Sequence, residues 1–284
     1  MNGIIIINKP KGCTSHDIVS KVKKITHEKI GHTGTLDPLA TGVLPLLVGK
    51  GTLCSKYLIN HDKEYIATIK LGIKTTTADK EGEIIQTKNV QDFKIEYIEK
   101  ILKEFLGKQN QIPPIYSAIK VNGKKLYEYA RKNQKVEIKP RKINIYEIDL
   151  LEYNNIENEV KFKVQCSKGT YIRSLCEDIA EKLGTIGFMA ELQRTQVGEF
   201  NIKQAVSIDK INEDIIKQNI ITIENLFKNK NGIEIDKRRL ELFLNGVRLS
   251  TDLKSDIYRI YCEDKFVGIG EVKNKLLKRD IIVI

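Results

Sequence analysis

Hydrophobic positions along this chain fall into short apolar runs and alternations, with helical stripes between them. Ile4 to Ile7 is a continuous apolar run halted by Asn8-Lys9-Pro10-Lys11-Gly12, which predicts a buried strand entering a turn. Thr14-Ser15-His16-Asp17 has the form of a capping box, and Ile18, Val22 and Ile25 follow at i, i+4 and i+7 as one apolar helix face. Lys63 to Leu71 alternates as a strand, and Gly72 to Gly82 reads as a turn-rich connector. A second helix is predicted to start near Asp92, striped by Ile95, Ile98, Leu102 and Phe105, with Gly107 at its C-terminal cap. Glu159 to Cys166 alternates strictly, a half-buried strand with Cys166 on its apolar face. Ser167-Lys168-Gly169-Thr170 turns the chain into a third helix (Ile172, Leu175, Cys176, Ile179, Leu183), closed by Gly184. Met189 to Gly198 reads as a further strand.

One stretch breaks this rhythm. Between Gly31 and Gly49 there is a single formal charge, Asp37, in a chain that is 30% charged. Leu36, Leu39, Val43, Leu44, Leu46 and Leu47 surround it, and a buried carboxylate is costly unless something pairs with it. Pro38 drives Asp37 out of the helical region. Most Asp-Pro pairs are exposed turns with an Asx hydrogen bond. This one is apolar on both sides, which favours a loop holding one acid in an oily pocket for chemistry.

Charge and composition narrow the class. The net charge of +11 on 284 residues suggests a polyanionic partner. Between Gln111 and Tyr146, Lys120, Lys124, Lys125, Arg131 and further basic residues crowd around Tyr116, Tyr127 and Tyr129, and Asn122-Gly123 signals a hairpin. Taken alone this is an ordinary solvated hairpin; cations for phosphates combined with rings for base faces suit looped RNA. Five widely spaced cysteines without a CxxC point to neither zinc nor disulfides, and hence to a reducing compartment. The N-terminal isoleucines are too few for a signal segment or a membrane span, so a soluble, cytoplasmic protein is expected. Lys228-Asn229-Lys230-Asn231-Gly232 reads as a polar linker, followed by a short helix and strand-like runs at Tyr258–Cys262 and Phe266–Val272. Residues 233–284 carry only +2, so the larger part should supply most of the RNA affinity.

GHTGTLDPLATG, from Gly31 to Gly42, resembles over its whole length the active-site motif of the TruB-type pseudouridine synthases. Lys9-Pro10 is similar to that family's KP turn, PPIYSAIKVNGKKLYEYAR to its inserted thumb, SKGTYIRS to its second motif, and the strand with Leu192 to its third. The segment from Leu71 to Gly82 resembles another family string, with Thr76 where Asp is usual. The resemblance implies an α+β pseudouridine synthase fold with a central mixed, largely antiparallel sheet flanked by helices. Residues 1–227 would form the catalytic domain, with a thumb at about 112–146, and 233–284 a small PUA-like β-barrel that binds RNA. It implies isomerisation of one uridine of the tRNA T-stem-loop, position 55, flipped into the pocket by a monomeric enzyme without cofactor or metal. Asp37, Tyr65 and Arg173 would be catalytic, with His32, Tyr171, Leu192, Lys9, Lys120, Lys124, Lys125 and Arg131 as substrate contacts. Within that set Lys9 and Pro10 are given a structural role, and lone histidines such as His32 are more often structural.

The chemistry sets its own demands. Burial raises a carboxylate pKa by roughly 3–5 units and an adjacent arginine lowers it by roughly 1–3, so an unpaired Asp37 would be neutral and inert. Arg173, in the first turn of a helix where a cation is disfavoured, wants an anion and is the expected partner. Whether Asp37 attacks C1′, attacks C6 or deprotonates C2′ is open. Two rivals stand beside this reading. Gly49-Lys50-Gly51-Thr52 looks faintly like a phosphate-binding loop, but its spacing fails the Walker pattern. A non-catalytic RNA-binding protein would need the basic thumb but no buried acid.

Overall fold

Ile4 to Ile7 form the middle of strand β1 (Gly3–Lys9), and all four are buried. Successive strand side chains point to opposite faces, so an unbroken apolar run means that both faces are covered. Ile5 and Ile7 enter one core and Ile4 and Ile6 another. The computed structural model describes residues 1–132 and 134–284. After the turn, helix α1 (Ser15–Thr26) begins with the predicted capping box: the Asp17 amide donates to Thr14 Oγ1 (3.1 Å) and the Thr14 amide to Asp17 Oδ2 (2.8 Å). Short strand β2 (Ile30–His32), the Asp37 loop and strand β3 (Thr41–Val48) follow, and β3 returns antiparallel to β1.

Strand β4 (Lys63–Leu71) lies near the middle of the large sheet. The order across that sheet is Val206–Ser207, β1, β3, Gly187–Val197, β4, Glu159–Cys166, Arg141–Asn154 and Gly107–Gln111. Two of these pairings are parallel and the rest antiparallel, the mixed sheet expected. Helices α1, Ile95–Lys103 and Ile172–Lys182 pack against one face, although Ile95, expected in the apolar stripe of the second, is exposed and Ile101 is buried instead.

Three boundaries differ from the sequence reading. The segment expected as a thumb through 146 ends near 140, because Arg141 to Ile145 pair with Gly107–Gln111 and Ile143 and Ile145 insert into the core. Gly72 to Gly82 is more than a connector. Ile73–Thr75 pairs with Ile84–Thr87, and the intervening turn carries Asp79 into the interior. The Lys228–Gly232 stretch is no loose tether, since Arg259 Nε donates to the Lys230 carbonyl (2.9 Å) and Gly232 opens a strand. That strand joins the C-terminal five-stranded sheet, in the order Gly232–Glu234, Asp256–Cys262, Lys265–Lys273, Leu276–Ile282, Leu249–Ser250. Ile269 and Ile281 of this PUA-like unit share a core with Ile4, Ile6 and Val43, so burial fastens it to the back of the first sheet. Lys50, from the string that faintly resembled a phosphate loop, donates to the carbonyls of Val283 (3.0 Å) and Ile284 (2.9 Å). Among the described residues no helix is long and apolar enough to cross a membrane.

Candidate active site

The Asp37 loop is pinned on both sides of the acid. Leu36 and Leu39 are buried in the main core, while Ser15 Oγ accepts from the Leu36 amide (2.9 Å) and donates to its carbonyl (3.1 Å). The Gly12 amide donates to the Pro38 carbonyl (2.9 Å), tying the KP turn to the residue after the acid. At the far end, Gly42 has φ +104°, and a Cβ there would stand 2.2 Å from the Arg194 carbonyl, so only glycine allows β3 to approach that strand. With its backbone fixed, Asp37 turns its carboxylate into a cavity of about 440 Å3.

Tyr65, Tyr171, Arg173 and Leu192 line the same cavity, so the expected catalytic set and two of the expected contacts are brought together. Arg173 is buried in the first turn of the helix Ile172–Lys182, and its Nε lies 3.2 Å from Asp37 Oδ2. The pairing inferred from an awkward cation at a helix N-terminus is present. Arg173 is shared, however: Nη1 lies 3.5 Å from Asp79 Oδ2, and Nη2 donates to the Tyr116 carbonyl (3.0 Å). Asp79 is held by the Thr77 hydroxyl (2.5 Å) and the Glu81 amide (3.1 Å). The guanidinium therefore joins the acid, the Asp79 turn and the inserted segment.

Burial pushes the Asp37 carboxyl above its ordinary value; Arg173 and, more weakly, Lys9 draw it back down, while Asp79 pushes it up. The net direction is upward, so the arginine moderates the burial penalty without cancelling it. Tyr65 is buried in β4 and its phenol is also raised, chiefly by burial. The Arg194 guanidinium beside it favours the phenolate and offsets part of that rise. Arg194 is 1% exposed, and it donates from Nε to the Val43 carbonyl (2.8 Å) and from Nη2 to the Gly34 carbonyl (3.0 Å). It thus braces both ends of the acid loop.

Other expected contacts lie elsewhere. Lys9 is fully buried, and its ammonium donates to the carbonyls of Cys13 (2.7 Å), Pro10 (2.9 Å) and Pro38 (3.2 Å). A cation so enclosed is a clamp on the loop, which corrects its place among the RNA contacts and agrees with the structural role given to the KP turn. His32 is half-buried outside the cavity; its Nδ1 accepts from the Gly34 amide (3.3 Å), and burial, Arg194 and His16 lower its pKa. Lys120 and Lys124 sit on the exposed hairpin, whose Asn122 and Gly123 both have positive φ. Lys125 and Arg131 flank the Tyr127 ring, each 5.3 Å from its centroid, and Tyr127 lines the cavity wall.

Sequence reasoning missed Asp79, Arg194 and the cavity positions of Tyr116 and Tyr127 as site residues. For Asp79 the available signal was an acid among Thr75, Thr77 and Gly82, read as an ordinary turn. Arg194 carried no such signal, since Glu191, Gln193, Thr195 and Gln196 surround it with polar residues in the same strand.

Comparison with known proteins converges on one family. The model described as TruB family pseudouridylate synthase (N terminal domain) matches residues 22–172, and the tRNA pseudouridylate synthase B C-terminal domain matches 173–227. The tRNA pseudouridine synthase B of Francisella philomiragia is 44% identical over 98% of this chain and 94% of its own length. That of Clostridium tetani is 46% identical, over 95% and 96%. Among solved structures, a chain of a Cbf5-Nop10-Gar1 complex is 27% identical with a TM-score of 0.68, covering 99% of this chain and 83% of its own.

Proposed function

Because the chain belongs to the TruB family of pseudouridylate synthases, we propose that it isomerises a uridine of tRNA to pseudouridine, with Asp37 as the essential acid. The substrate is the T-loop uridine at position 55, flipped out of its loop into the cavity that Asp37 faces. The observation that carries the assignment is the Asp37–Arg173 pair, 3.2 Å apart, in a tyrosine-lined cavity of about 440 Å3.

The reaction breaks the C1′–N1 bond, rotates the base, joins C1′ to C5, and moves the C5 proton to solvent as N1 gains one. No electrons are gained or lost. Attack at C1′, attack at C6 and abstraction at C2′ all need the same ionised Asp37 oxygen, and Arg173 favours that state. Leu192 and the Tyr65 ring supply apolar walls that keep the detached uracil in place. Tyr65 is also the candidate acceptor for the C5 proton, with Arg194 favouring its phenolate. Extruding a nucleotide costs a few kcal/mol. One aromatic stack returns roughly 1–3 kcal/mol, so Tyr65 with phosphate contacts from Lys120, Lys124, Lys125 and Arg131 can offset it.

Asp37→Asn tests the reading against a purely RNA-binding role. Binding of a tRNA transcript should stay within a few-fold, while pseudouridine, read by base-specific chemical mapping, drops to background. Pseudouridine formation by the variant at a measurable rate removes Asp37 from the chemistry.

A further inference from the structure

Helix α1 carries a polar stripe that the catalytic account does not use. His16, Ser20 and Lys23 are spaced four and three residues apart, so at about 100° per residue they fall within roughly 60° of arc, and His27, the residue that caps the helix, follows four further on. The buried positions Ser15, Ile18 and Val22 lie on the opposite side of the helix. The stripe forms one wall of a cleft of about 430 Å3, and Lys29 stands on the other. His27 adopts a left-handed conformation (φ +56°) that folds the chain back to make that second wall. Glu28, the one acid lining the cleft, is 2.6 Å from the Met1 ammonium, and Glu213, the acid facing His27, is 2.7 Å from Lys217. Both acids are thus occupied, and the positive field of Lys23 and Lys29 stays open to a ligand.

The sheet order gives this stripe a direction. The inserted segment rises from the edge formed by Gly107–Gln111 and Arg141–Asn154, while α1 runs with β1, β2 and β3 toward the other edge. The cavity holding Asp37 lies between them. At the cavity end of α1, Ser15, the neighbour of His16, is hydrogen-bonded to the Leu36 amide of the catalytic loop (2.9 Å). Hydrogen-bonding groups therefore continue from the catalytic loop along the helix, with rungs about 5–6 Å apart, commensurate with successive phosphates of one strand.

We propose that the α1 stripe is a backbone track for the RNA stem that leads into the target loop. His16, Ser20, Lys23 and His27 hold consecutive phosphates of one strand while the opposite edge of the protein grips the loop. The inference rests on the tRNA reading above, and it concerns contacts outside the catalytic cavity.

The test uses the full-length protein, a T-arm stem-loop RNA and an intact tRNA transcript. The double variant Lys23→Glu/His27→Glu alters exposed side chains on the stripe. Lys21→Glu/Lys24→Glu changes charge on the adjacent face as a control. Kd is measured for both RNAs across a KCl series, with the single-turnover rate at saturating stem-loop and the thermal melting temperature. For the stripe variant, Kd of the stem-loop should rise roughly tenfold and the log–log salt slope become shallower by about 1, as the one lysine–phosphate contact of the pair is lost. The saturating rate and melting temperature should be unchanged, and the control should shift Kd far less. An unaltered Kd and slope, or an equal loss in the control, overturns the track. Weakening confined to intact tRNA overturns the stem as its occupant. If the unaltered protein neither binds nor modifies the stem-loop, the underlying functional reading fails, which is a separate outcome.

Discussion

Replacing Arg173 with Met keeps an unbranched stem in the first turn of its helix and removes the cation that Asp37 and Asp79 share. Unit charges 3.2 Å apart attract by roughly 5 kcal/mol at an effective dielectric near 20. The Asp37 side chain is 36% exposed, so cavity water screens more than half of that and leaves about 2 kcal/mol. At about 1.4 kcal/mol per unit, the Asp37 carboxyl should rise by between one and two units from a value burial has already raised. The sign then follows. A carboxyl raised in the folded state contributes stability that is complete below its unfolded value and is lost as pH rises through the folded value. Catalysis needs the ionised form, so the acid limb of kcat/KM should move to higher pH by that same interval. The assay is release of label from tRNA carrying 5-tritiated uridine, since C5 loses its hydrogen on isomerisation, followed from pH 5 to 9 for both proteins. Arg173→Lys should restore part of the limb position but little of kcat, because one ammonium cannot span Asp37, Asp79 and the Tyr116 carbonyl. A limb that stays in place in Arg173→Met, with a near-normal rate, would refute the claim that this pair keeps the acid ionised.

Neutralising the second carboxylate acts in the opposite sense on pH. Asp79→Asn removes a charge that raises Asp37, so the acid limb should move down by less than one unit, while kcat falls at least tenfold as Arg173 loses an anchor; an upward shift contradicts the geometry. Lys9→Met strands three buried carbonyls and should cost roughly 2–4 kcal/mol, measured by urea unfolding. Its tRNA affinity at a temperature where it is folded should match the parent, and a large loss would return Lys9 to the RNA contacts. Affinity for tRNA should fall steeply with salt, and Lys125→Ala/Arg131→Ala should flatten the log–log slope by about 1–2. A slope that the double variant leaves unchanged counts against the inserted segment as a phosphate grip.

The chain fixes by itself whatever depends on neighbours in sequence. The α1 capping box, the Asn122-Gly123 turn, the apolar run of Ile4 to Ile7 and the apolar flanks of Asp37 all follow from short spacings along the chain. The Asp37–Arg173 pair was legible for a different reason: an isolated acid and a badly placed cation each lack a partner, and two unmet demands identify each other. What the tertiary structure alone decided is how the remaining buried charges are distributed. Lys9 reads as a surface lysine in a turn until β1 and the Asp37 loop enclose it, and its ammonium must then find carbonyls. Asp79 reads as a turn acid until the Ile73–Thr75 ladder folds it beneath Arg173. Arg194 becomes a brace only because its strand lies between β3 and β4. Local propensity acts over a few residues, whereas the partner of a buried charge is set by strand order and register among segments 29 to 160 residues apart.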